Sequence, residues 1–367
     1  MGSAWIDGEP VNLDAAAAEA ARLLGASRLP VIAGLGTDVA GVRSAIALAR
    51  LLGGIVDHMH SGALLRNLDV MREAGMMVTT PNEARVRGDV LLLVGEGLLV
   101  VWPQLKERLL TAPLAESGAD AKRRIRRLCP GRGEAKALDS VNIQTIGRAP
   151  ADLPVLLAAV RARVAGRAVS GSAIPLRTLD ALAAELRAAR FGVAVWSAVH
   201  LDALTVEMLC GLVEDLNAGT RFTGLPLAPP DNAAGVLETC GWTTGYPMRT
   251  GFGRPQAEHD PWRCDAARLV ESGEADCVLW VSAYRDAAPP WRRAVPTIAL
   301  TGSHASMPAR VRIAVGCPGV DHDAVQHLAA TGTLAPAAAT KPSDALSVAQ
   351  AIARIAVALP HTGAPPC

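Results

Sequence analysis

The sequence predicts an α/β fold of two doubly wound, Rossmann-like domains with mostly parallel sheets. Short apolar runs alternate with longer segments in which apolar residues recur at helical spacing. Half of the 367 residues are hydrophobic, yet Phe, Trp and Tyr make up only 3%, so the core must consist mainly of Ala, Leu and Val. The five apolar residues of the run 90–94 are typical of a strand buried on both faces, as in a parallel sheet.

The first elements precede the main repeating unit. Residues 1–11 predict a small β-element that turns at Asp7 and Gly8. A helix over 15–24 follows, because Asp14 can cap its first turn and Gly25 ends its apolar pattern.

Residues 29–57 predict a strand, a glycine turn, a helix and a second strand. The apolar run 31–33 is too short for a helix, and the two glycines that follow allow a sharp turn. The dinucleotide-binding fingerprint requires a small residue where Val39 stands, although Asp57 stands where a ribose-binding acid would be. A structural turn is therefore favoured, and a stand-alone nucleotide- or cofactor-binding enzyme using the turn Gly34–Gly41 is the alternative.

The next segments complete the first predicted domain. Residues 102–110 predict an amphipathic helix, and residues 129–150 predict a loop. Residues 122–128 carry two pairs of arginines around Ile125, which favours a solvated edge strand over a basic patch for an acidic partner.

After residue 150 the alternation of helices and strands begins again, so we place the first domain at 1–150 and the second at 151–335. The tract 333–342 resembles a linker, and a last helix over 344–359 is expected to pack on the first domain. The second domain has three predicted helices (153–164, 179–190, 204–218) and four predicted strands (192–197, 277–282, 295–300, 311–315).

Composition excludes several classes of protein. The chain has 36 basic and 35 acidic residues, so nothing indicates a nucleic-acid or anionic-membrane partner. We find no signal-peptide pattern and no apolar run long enough to span a membrane. The seven cysteines form no C-x-x-C pair, which favours free thiols. A cytoplasmic location is expected.

No constellation predicts a metal site or a catalytic residue in this chain. The histidines of 321–327 are five residues apart, those of 57–60 lack an identifiable third ligand, and 302–304 lacks the nucleophile elbow of a hydrolase. Trp262 and Trp291, each next to a proline or an arginine, are candidate anchors for a partner subunit.

Residues 29–101 resemble the B subunit of formylmethanofuran dehydrogenase, which belongs to the molybdopterin oxidoreductase family. The likeness extends over residues 10–330, and it implies the molybdopterin-oxidoreductase-like arrangement of two α/β domains. The segments that carry it are 34–41, 45–52, 54–57 and 80–90 in the first half, and 232–235, 241–247 and 251–255 in the second.

The sequence departs from that family where the metal would bind. Redox-active members carry an amino-terminal cysteine cluster and a Cys or selenocysteine ligand after the second strand. Here the loop 57–63 has no cysteine, and His60 or Ser61 would replace a soft thiolate poorly. Gly34, Gly36, His60 and Ser61 therefore form a degenerate pocket. A working molybdenum or tungsten enzyme is a third reading, which requires metal in the purified protein.

A redox-inactive relative of that B subunit occurs in the bacterial formyltransferase/hydrolase complex. The resemblance implies a four-subunit cytoplasmic assembly in the one-carbon metabolism of methylotrophs. It moves a formyl group from formyl-tetrahydromethanopterin to a methylofuran-type carrier and hydrolyses it to formate. By the same resemblance, the hydrolase subunit would hold the metal, the transferase subunit would handle the pterin, and this chain would be a non-catalytic scaffold beside them and a third subunit. We expect it to bind no cofactor of its own, and to contact the carrier's acidic tail through four arginines: Arg66, Arg123, Arg124 and Arg127.

Overall fold

The structure, a computed structural model, describes residues 4–114, 123–130, 138, 140–147, 149–303 and 307–360. Lys122 of the predicted edge strand, His304 of the segment 302–304 and Cys367 lie outside these ranges, as do parts of the predicted loop 129–150.

The α/β class with mostly parallel sheets is confirmed. The described strands are β1 (Ala4–Ile6), β2 (Glu9–Val11), β3 (Pro30–Gly36), β4 (Ile55–Val56), β5 (Val90–Val94), β6 (Arg124–Leu128), β7 (Ile143–Ile146), β8 (Gly192–Ser197), β9 (Phe222–Leu227), β10 (Thr250–Gly251), β11 (Glu258–His259), β12 (Cys277–Ser282), β13 (Thr297–Thr301), β14 (Val311–Ala314), β15 (Ala324–Leu328) and β16 (Thr333–Ala337). The described α-helices are α1 (Leu13–Ala26), α2 (Val39–Leu52), α3 (Ser61–Ala74), α4 (Pro81–Arg87), α5 (Leu98–Val101), α6 (Leu153–Val164), α7 (Leu176–Arg187), α8 (Ala203–Asn217), α9 (Ala233–Thr244), α10 (Ala266–Ser272) and α11 (Val348–Ala358).

The chain forms two compact units, and the predicted boundary near residue 150 is wrong. Periodicity in the sequence indicates where strands are but not which strands pair, and here strands far apart in the chain share a sheet. Unit 1 consists of Met1–Ser61, Asp231–His327 and Leu334–Cys367, and unit 2 consists of Gly62–Pro230 and Leu328–Thr333.

Unit 1 is built on a nine-stranded sheet with the strand order β11-β10-β4-β3-β12-β13-β14-β1-β2. The central strands β4, β3, β12, β13 and β14 run parallel, and antiparallel strands extend the sheet at both sides. Every residue of β3 is buried, and Trp280 of β12 is among the largest fully buried side chains. The carboxyl end of β3 therefore lies in the middle of this sheet.

Two capped helices fix the packing in unit 1. Asp38 caps α2, and Gly53, with a φ of 63°, ends it in the left-handed conformation that a glycine adopts without strain. Helix α11 begins with a capping box between Ser347 and Gln350, and it packs against α1 and α2.

Unit 2 is built on a parallel five-stranded sheet with the order β7-β6-β5-β8-β9. Alternate residues of β5 pack into different cores: Val90, Leu92 and Val94 belong to one, and Leu91 and Leu93 to the other. This alternation explains why β5 is apolar throughout, as the sequence predicted.

Strand β6 is not an edge strand, because it lies between β5 and β7. Its arginines are tolerated there because Arg124 pairs with Asp89 at 3.0 Å and Arg126 pairs with Glu185 at 2.6 Å.

Three other expectations fail for local reasons. The helix predicted over 102–110 is broken near Pro103, which lacks an N–H group, and only the π-helical turn Lys106–Leu110 remains. Strand β7 lies within the predicted loop 129–150, and β16, which pairs with β15, replaces the predicted linker. Among the described residues, no helix combines the length and apolarity that a membrane span requires.

Candidate functional site

The candidate site lies at the carboxyl ends of β3, β4 and β12 in unit 1. Strand β3 has β4 on one side and β12 on the other, so the chain departs in opposite directions from this point of the sheet. Open α/β sheets bind ligands in the crevice at such a switch point. We call the polar side chains gathered here the switch-point cluster: Asp57, His58, His60, Ser61, Asp231 and Arg285.

Asp231 is the centre of the cluster. Its carboxylate accepts hydrogen bonds from Arg285 Nε at 2.9 and 2.8 Å, and Arg285 Nη2 lies 2.6 Å from Oδ2. His60 Nε2 lies 3.1 Å from the same oxygen. Burial alone would raise the pKa of Asp231, but the hydrogen bonds from His60 and Arg285 lower it to about 2. The carboxylate is therefore ionised, and its capacity as an acceptor is used within the cluster.

His58 uses both of its ring nitrogens inside the protein. The backbone N–H of His60 donates to Nδ1 at 2.9 Å, which assigns the ring proton to Nε2, and Nε2 donates to the Asp231 carbonyl at 3.1 Å. Burial lowers the pKa of His58 to about 4, so the imidazole is neutral. A neutral imidazole with both nitrogens bonded has no lone pair left for a metal.

Asp57 is enclosed in the same way. It accepts hydrogen bonds from Ser61 Oγ at 2.5 Å and from the backbone N–H of Ala266 at 3.0 Å, and Arg249 Nε lies 3.6 Å away. Burial raises the pKa of Asp57 to about 6 despite the nearby guanidinium. The hydroxyl of Ser61 also accepts a bond from the backbone N–H of His58 at 3.0 Å.

Asn232 joins the cluster to neighbouring segments of unit 1. Its Nδ2 donates to the Thr37 carbonyl at 2.8 Å, and its Oδ1 accepts from the backbone N–H of His327 at 2.8 Å. Both Asp231 and Asn232 have positive φ values, 61° and 59°, which are uncommon for residues other than glycine. The loop at 231–232 is thus held in an unusual conformation by the bonds of Asp231 to Arg285 and His60 and by those of Asn232 to neighbouring backbone groups.

The glycine turn after β3 is filled by the protein itself. Gly34 has a φ of 80°, and a Cβ there would lie 2.5 Å from the Val281 carbonyl oxygen. A Cβ on Gly36 would lie 3.2 Å from Met59 Cε and 3.5 Å from Asp231 Cβ. Both glycines are therefore explained by close internal packing rather than by space for a pyrophosphate.

The amino terminus of α2 is also occupied. The buried carboxylate of Asp38 accepts a bond from the Gly41 N–H at 3.0 Å, in the position where a dinucleotide phosphate would bind a Rossmann helix. A phosphate there would meet a buried negative charge, which argues against the nucleotide-binding alternative.

The cluster does not fit the molybdenum or tungsten centre that the resemblance raises. Such a metal is held by soft thiolates, and the loop after β4 offers none. Cys240 is a buried residue whose pKa is raised by burial to about 12, so it carries a thiol. Within the described ranges, no group of three or more His, Cys, Asp or Glu side chains could hold a metal ion.

Of the predicted pocket, the structure brings Gly34, Gly36, His60 and Ser61 to one place. The sequence missed Asp231 and Arg285, because they lie far from the βαβ unit along the chain and have no motif of their own. Two signals in the sequence lie beside Asp231: the two prolines before it, which indicate a turn, and the segment 232–235 after it, which carries part of the family resemblance.

The four arginines predicted to contact a carrier all belong to unit 2. Arg123 donates to the Gly88 carbonyl at 2.7 Å and the Arg85 carbonyl at 2.6 Å, and it also bonds the Leu109 carbonyl. Burial lowers its pKa to about 10. The half-buried Arg66 donates to the Ala198 carbonyl.

The remaining two differ in their exposure. Arg127 is buried, whereas the side chain of Arg124 keeps 38% of its surface exposed beside Asp89. Carrier contact by these four arginines stays a prediction.

The two tryptophans proposed as anchors have different environments. Trp291 packs edge-to-face on Trp280, with ring centroids 5.4 Å apart, and it belongs to the margin of the core of unit 1. Trp262 is 68% exposed.

Comparison with known proteins identifies the relatives of this chain. No protein-family model matches it. It is 36% identical over 326 residues to the B subunit of the formyltransferase/hydrolase complex Fhc of Methylorubrum extorquens, a match that covers 86% of each chain. It is 25% identical to the B subunits of the tungsten-containing formylmethanofuran dehydrogenase 2 of Methanocaldococcus jannaschii and of Methanococcus maripaludis, over 74% and 75% of this chain and 64% and 65% of theirs.

A solved structure gives the same result. A chain in the crystal structure of the formyltransferase/hydrolase complex FhcABCD from Methylorubrum extorquens, in complex with methylofuran, matches with a TM-score of 0.86 and 34% identity. The match covers 97% of this chain and 98% of that one. The fold and the relatives define a B-type subunit of the kind found in formylmethanofuran dehydrogenases and formyltransferase/hydrolase complexes. Within that class, the chain belongs to the family of the Fhc B subunit, and the predicted resemblance is confirmed.

Proposed function

We propose that this chain is a non-catalytic structural subunit of a formyltransferase/hydrolase complex. The complex would transfer a formyl group from formyl-tetrahydromethanopterin to a methylofuran-type carrier and hydrolyse it to formate. The observation that carries the proposal is the closed switch-point cluster. Asp231, Arg285 and both nitrogens of His58 are bonded to one another or to the backbone where an enzyme of this class would hold its cofactor.

The relatives support this role from a second direction. The relative with 36% identity is named as part of a formyltransferase/hydrolase complex, and the structural match comes from such a complex in complex with methylofuran. Both matches extend over most of this chain, so they include the two units and not a single shared motif.

The roles of the other subunits are those that the family resemblance implies. We place the metal in the hydrolase subunit and the pterin in the transferase subunit, with this chain as a framework between them and a third subunit completing the assembly in the cytoplasm. This chain would bind no metal or pterin of its own, since the side chains of the switch-point cluster that could ligate one are already bonded within the protein. Contact with the carrier's acidic tail is assigned first to Arg66 and Arg124, which keep exposed surface.

Affinity purification of the tagged chain from its native cells tests the proposal. We expect three further subunits to co-purify in stable proportions, and mass spectrometry identifies them. A monomeric chain that binds a nucleotide would instead favour the stand-alone enzyme. Stoichiometric molybdenum or tungsten held by this chain after its separation from the others would favour a working redox enzyme.

A further inference from the structure

Unit 1 also has an open groove of about 1080 Å³ beside β10 and β11. Its walls come from the loop between these strands and from the segment that leads into α10. Tyr246 and His259 line one part, Trp262 and Arg268 another, and Leu29 contributes from β3's amino-terminal side. We call this the aromatic groove.

Exposed aromatic side chains are concentrated at and near this groove. The chain has only 3 Phe, 2 Tyr and 7 Trp residues. In the described structure, which includes them all, the exposed ones are Trp242, Tyr246 and Trp262, at 56%, 42% and 68%. They fall within the single segment 242–262, whereas the other aromatic residues are buried or partly buried. Exposed Trp and Tyr side chains are typical of the energetic centre of protein–protein interfaces.

The aromatic residues of the groove are held in position. The guanidinium of Arg268 lies 4.3 Å from the centre of the Trp262 ring, and Glu274 holds that guanidinium at 2.6 Å. The rings of Tyr246 and His259 stack with their centroids 6.3 Å apart. Because these side chains are already ordered, a partner that binds them loses little conformational entropy.

The charges that line the groove are largely paired within it. Arg254 lies 2.6 Å from Glu258, and Arg268 lies 2.6 Å from Glu274. Asp260 accepts bonds from the backbone N–H groups of Trp262 and Arg263 at 2.9 and 2.7 Å. The groove therefore complements an uncharged segment rather than an anion. Its volume is at the upper limit for small-molecule pockets, and its open form suits a stretch of polypeptide.

We propose that the aromatic groove is the docking surface for another subunit of the complex, which places an uncharged, apolar segment against Tyr246 and Trp262. The inference rests on the proposed function, because it requires that the chain works in an assembly. It goes beyond that function by assigning one contact surface to named residues.

Variants of the assembled complex test the assignment. We expect Trp262→Ala and Tyr246→Ala to weaken subunit association about 30-fold each, as truncation of a central interface aromatic does. Val155→Ala is the matched control, since Val155 is 67% exposed on unit 2 and should leave association unchanged. Thermal unfolding of each purified chain verifies that it folds. Folded Trp262→Ala and Tyr246→Ala chains that associate like wild type would overturn the inference.

A photo-crosslinking residue at position 262 identifies the occupant. A crosslink from the intact complex to an apolar segment of a different subunit supports the assignment. A crosslink to a second copy of this chain, to a small molecule only, or to nothing overturns it. If wild-type chain co-purifies with no other subunit, the proposed function fails together with the inference. If wild type assembles but the crosslink is absent, only the inference fails.

Discussion

The switch-point cluster and the aromatic groove both belong to unit 1, and they differ in how much side-chain surface they leave open to a ligand or a partner. In the cluster, Asp231, His58 and Asp57 are buried and bonded on every side that the structure describes. In the groove, Trp262 and Tyr246 are exposed and fixed in place. The first region can stabilise the fold but offers little to a ligand, whereas the second offers surface to a partner.

The difference explains how the fold of a redox enzyme can serve in a scaffold. The crevice of an open α/β sheet needs polar residues to satisfy the ends of its strands whether or not a cofactor is bound. Here side chains from three parts of the chain meet that need. The surface around β10 and β11 has no such internal demand, so its exposed aromatic residues require another explanation.

The largest effect is expected on the free energy of unfolding, and it distinguishes a substitution in the switch-point cluster from one in the aromatic groove. Asp231→Ala removes the buried carboxylate that is bonded to the half-exposed Arg285 and to His60, and losing these charge-assisted hydrogen bonds should cost about 3 kcal/mol of unfolding free energy. Trp262→Ala, at an exposed position, should cost less than about 1 kcal/mol. Urea unfolding of the two purified variants measures both values. Equal costs would remove the distinction between the regions.

A second prediction concerns the turn after β3. Gly34→Ala should cost about 2 kcal/mol, because its φ is 80° and the new Cβ would meet the Val281 carbonyl oxygen at 2.5 Å. Gly253→Ala is the control, because a Cβ there has its nearest neighbour at 3.7 Å. The same unfolding measurement applies. A stable Gly34→Ala protein would show that the turn has room for a ligand after all.

The third prediction uses the pH dependence of stability. The pKa of Asp57 is raised by burial to about 6, so between about pH 4 and 6 the folded chain holds a proton that the unfolded chain has released. The protonation of Asp57 in the folded chain therefore lowers stability as pH rises through this range. The pKa of His58 is lowered by burial to about 4, so over about pH 4 to 6.5 the unfolded chain holds the extra proton and stability rises with pH.

These two slopes oppose each other in the wild-type protein. Asp57→Asn removes one of them, so the melting temperature of the variant should rise with pH between about 4 and 6 more steeply than that of wild type. Asp69→Asn, at a surface residue, should follow the wild-type profile. Differential scanning fluorimetry across this range supplies the comparison. Parallel profiles for wild type and Asp57→Asn would mean that the cluster is open to water.

The smallest effect is expected for the carrier. Arg66→Glu in the assembled complex should reduce retention of the carrier's acidic tail by about 3- to 10-fold, since a single charge contact of a half-buried, partly solvated side chain contributes little free energy. Arg22→Glu, on the exposed side of α1, is the control. Carrier retained on the purified complex is measured by mass spectrometry. Unchanged retention would remove Arg66 from the carrier site.

Local features of the fold could be predicted from the sequence, and the pairing of distant segments could not. The strand at 90–94 and the helix that ends at Gly53 follow from apolar runs and from a glycine stop, which are local signals. The assignment of β12–β14 to the same sheet as β3 depends on contacts across more than 200 residues, which periodicity does not encode. The arginines of β6 indicated an edge because the acids that neutralise them, Asp89 and Glu185, lie elsewhere in the chain.

The same distinction between local signals and distant contacts applies to the candidate site. The absence of cysteine after β4 could be read directly, and with it the loss of a thiolate ligand. The residues that fill the crevice could not be predicted, because Asp231 and Arg285 reach it from segments remote in sequence. The contrast between Trp262 and Trp291 also needed the structure, since both stand beside residues that favour loops.

The central claim is that this chain supports the complex without taking part in its chemistry. The most direct test is the activity of the assembled complex that carries His60→Gln, which alters the most accessible imidazole of the switch-point cluster. Formyl transfer and hydrolysis per assembled complex should stay within about twofold of wild type. A fall of about 100-fold or more, in a complex that assembles and melts like wild type, would contradict the account, because an effect of that size is typical of a lost acid–base group.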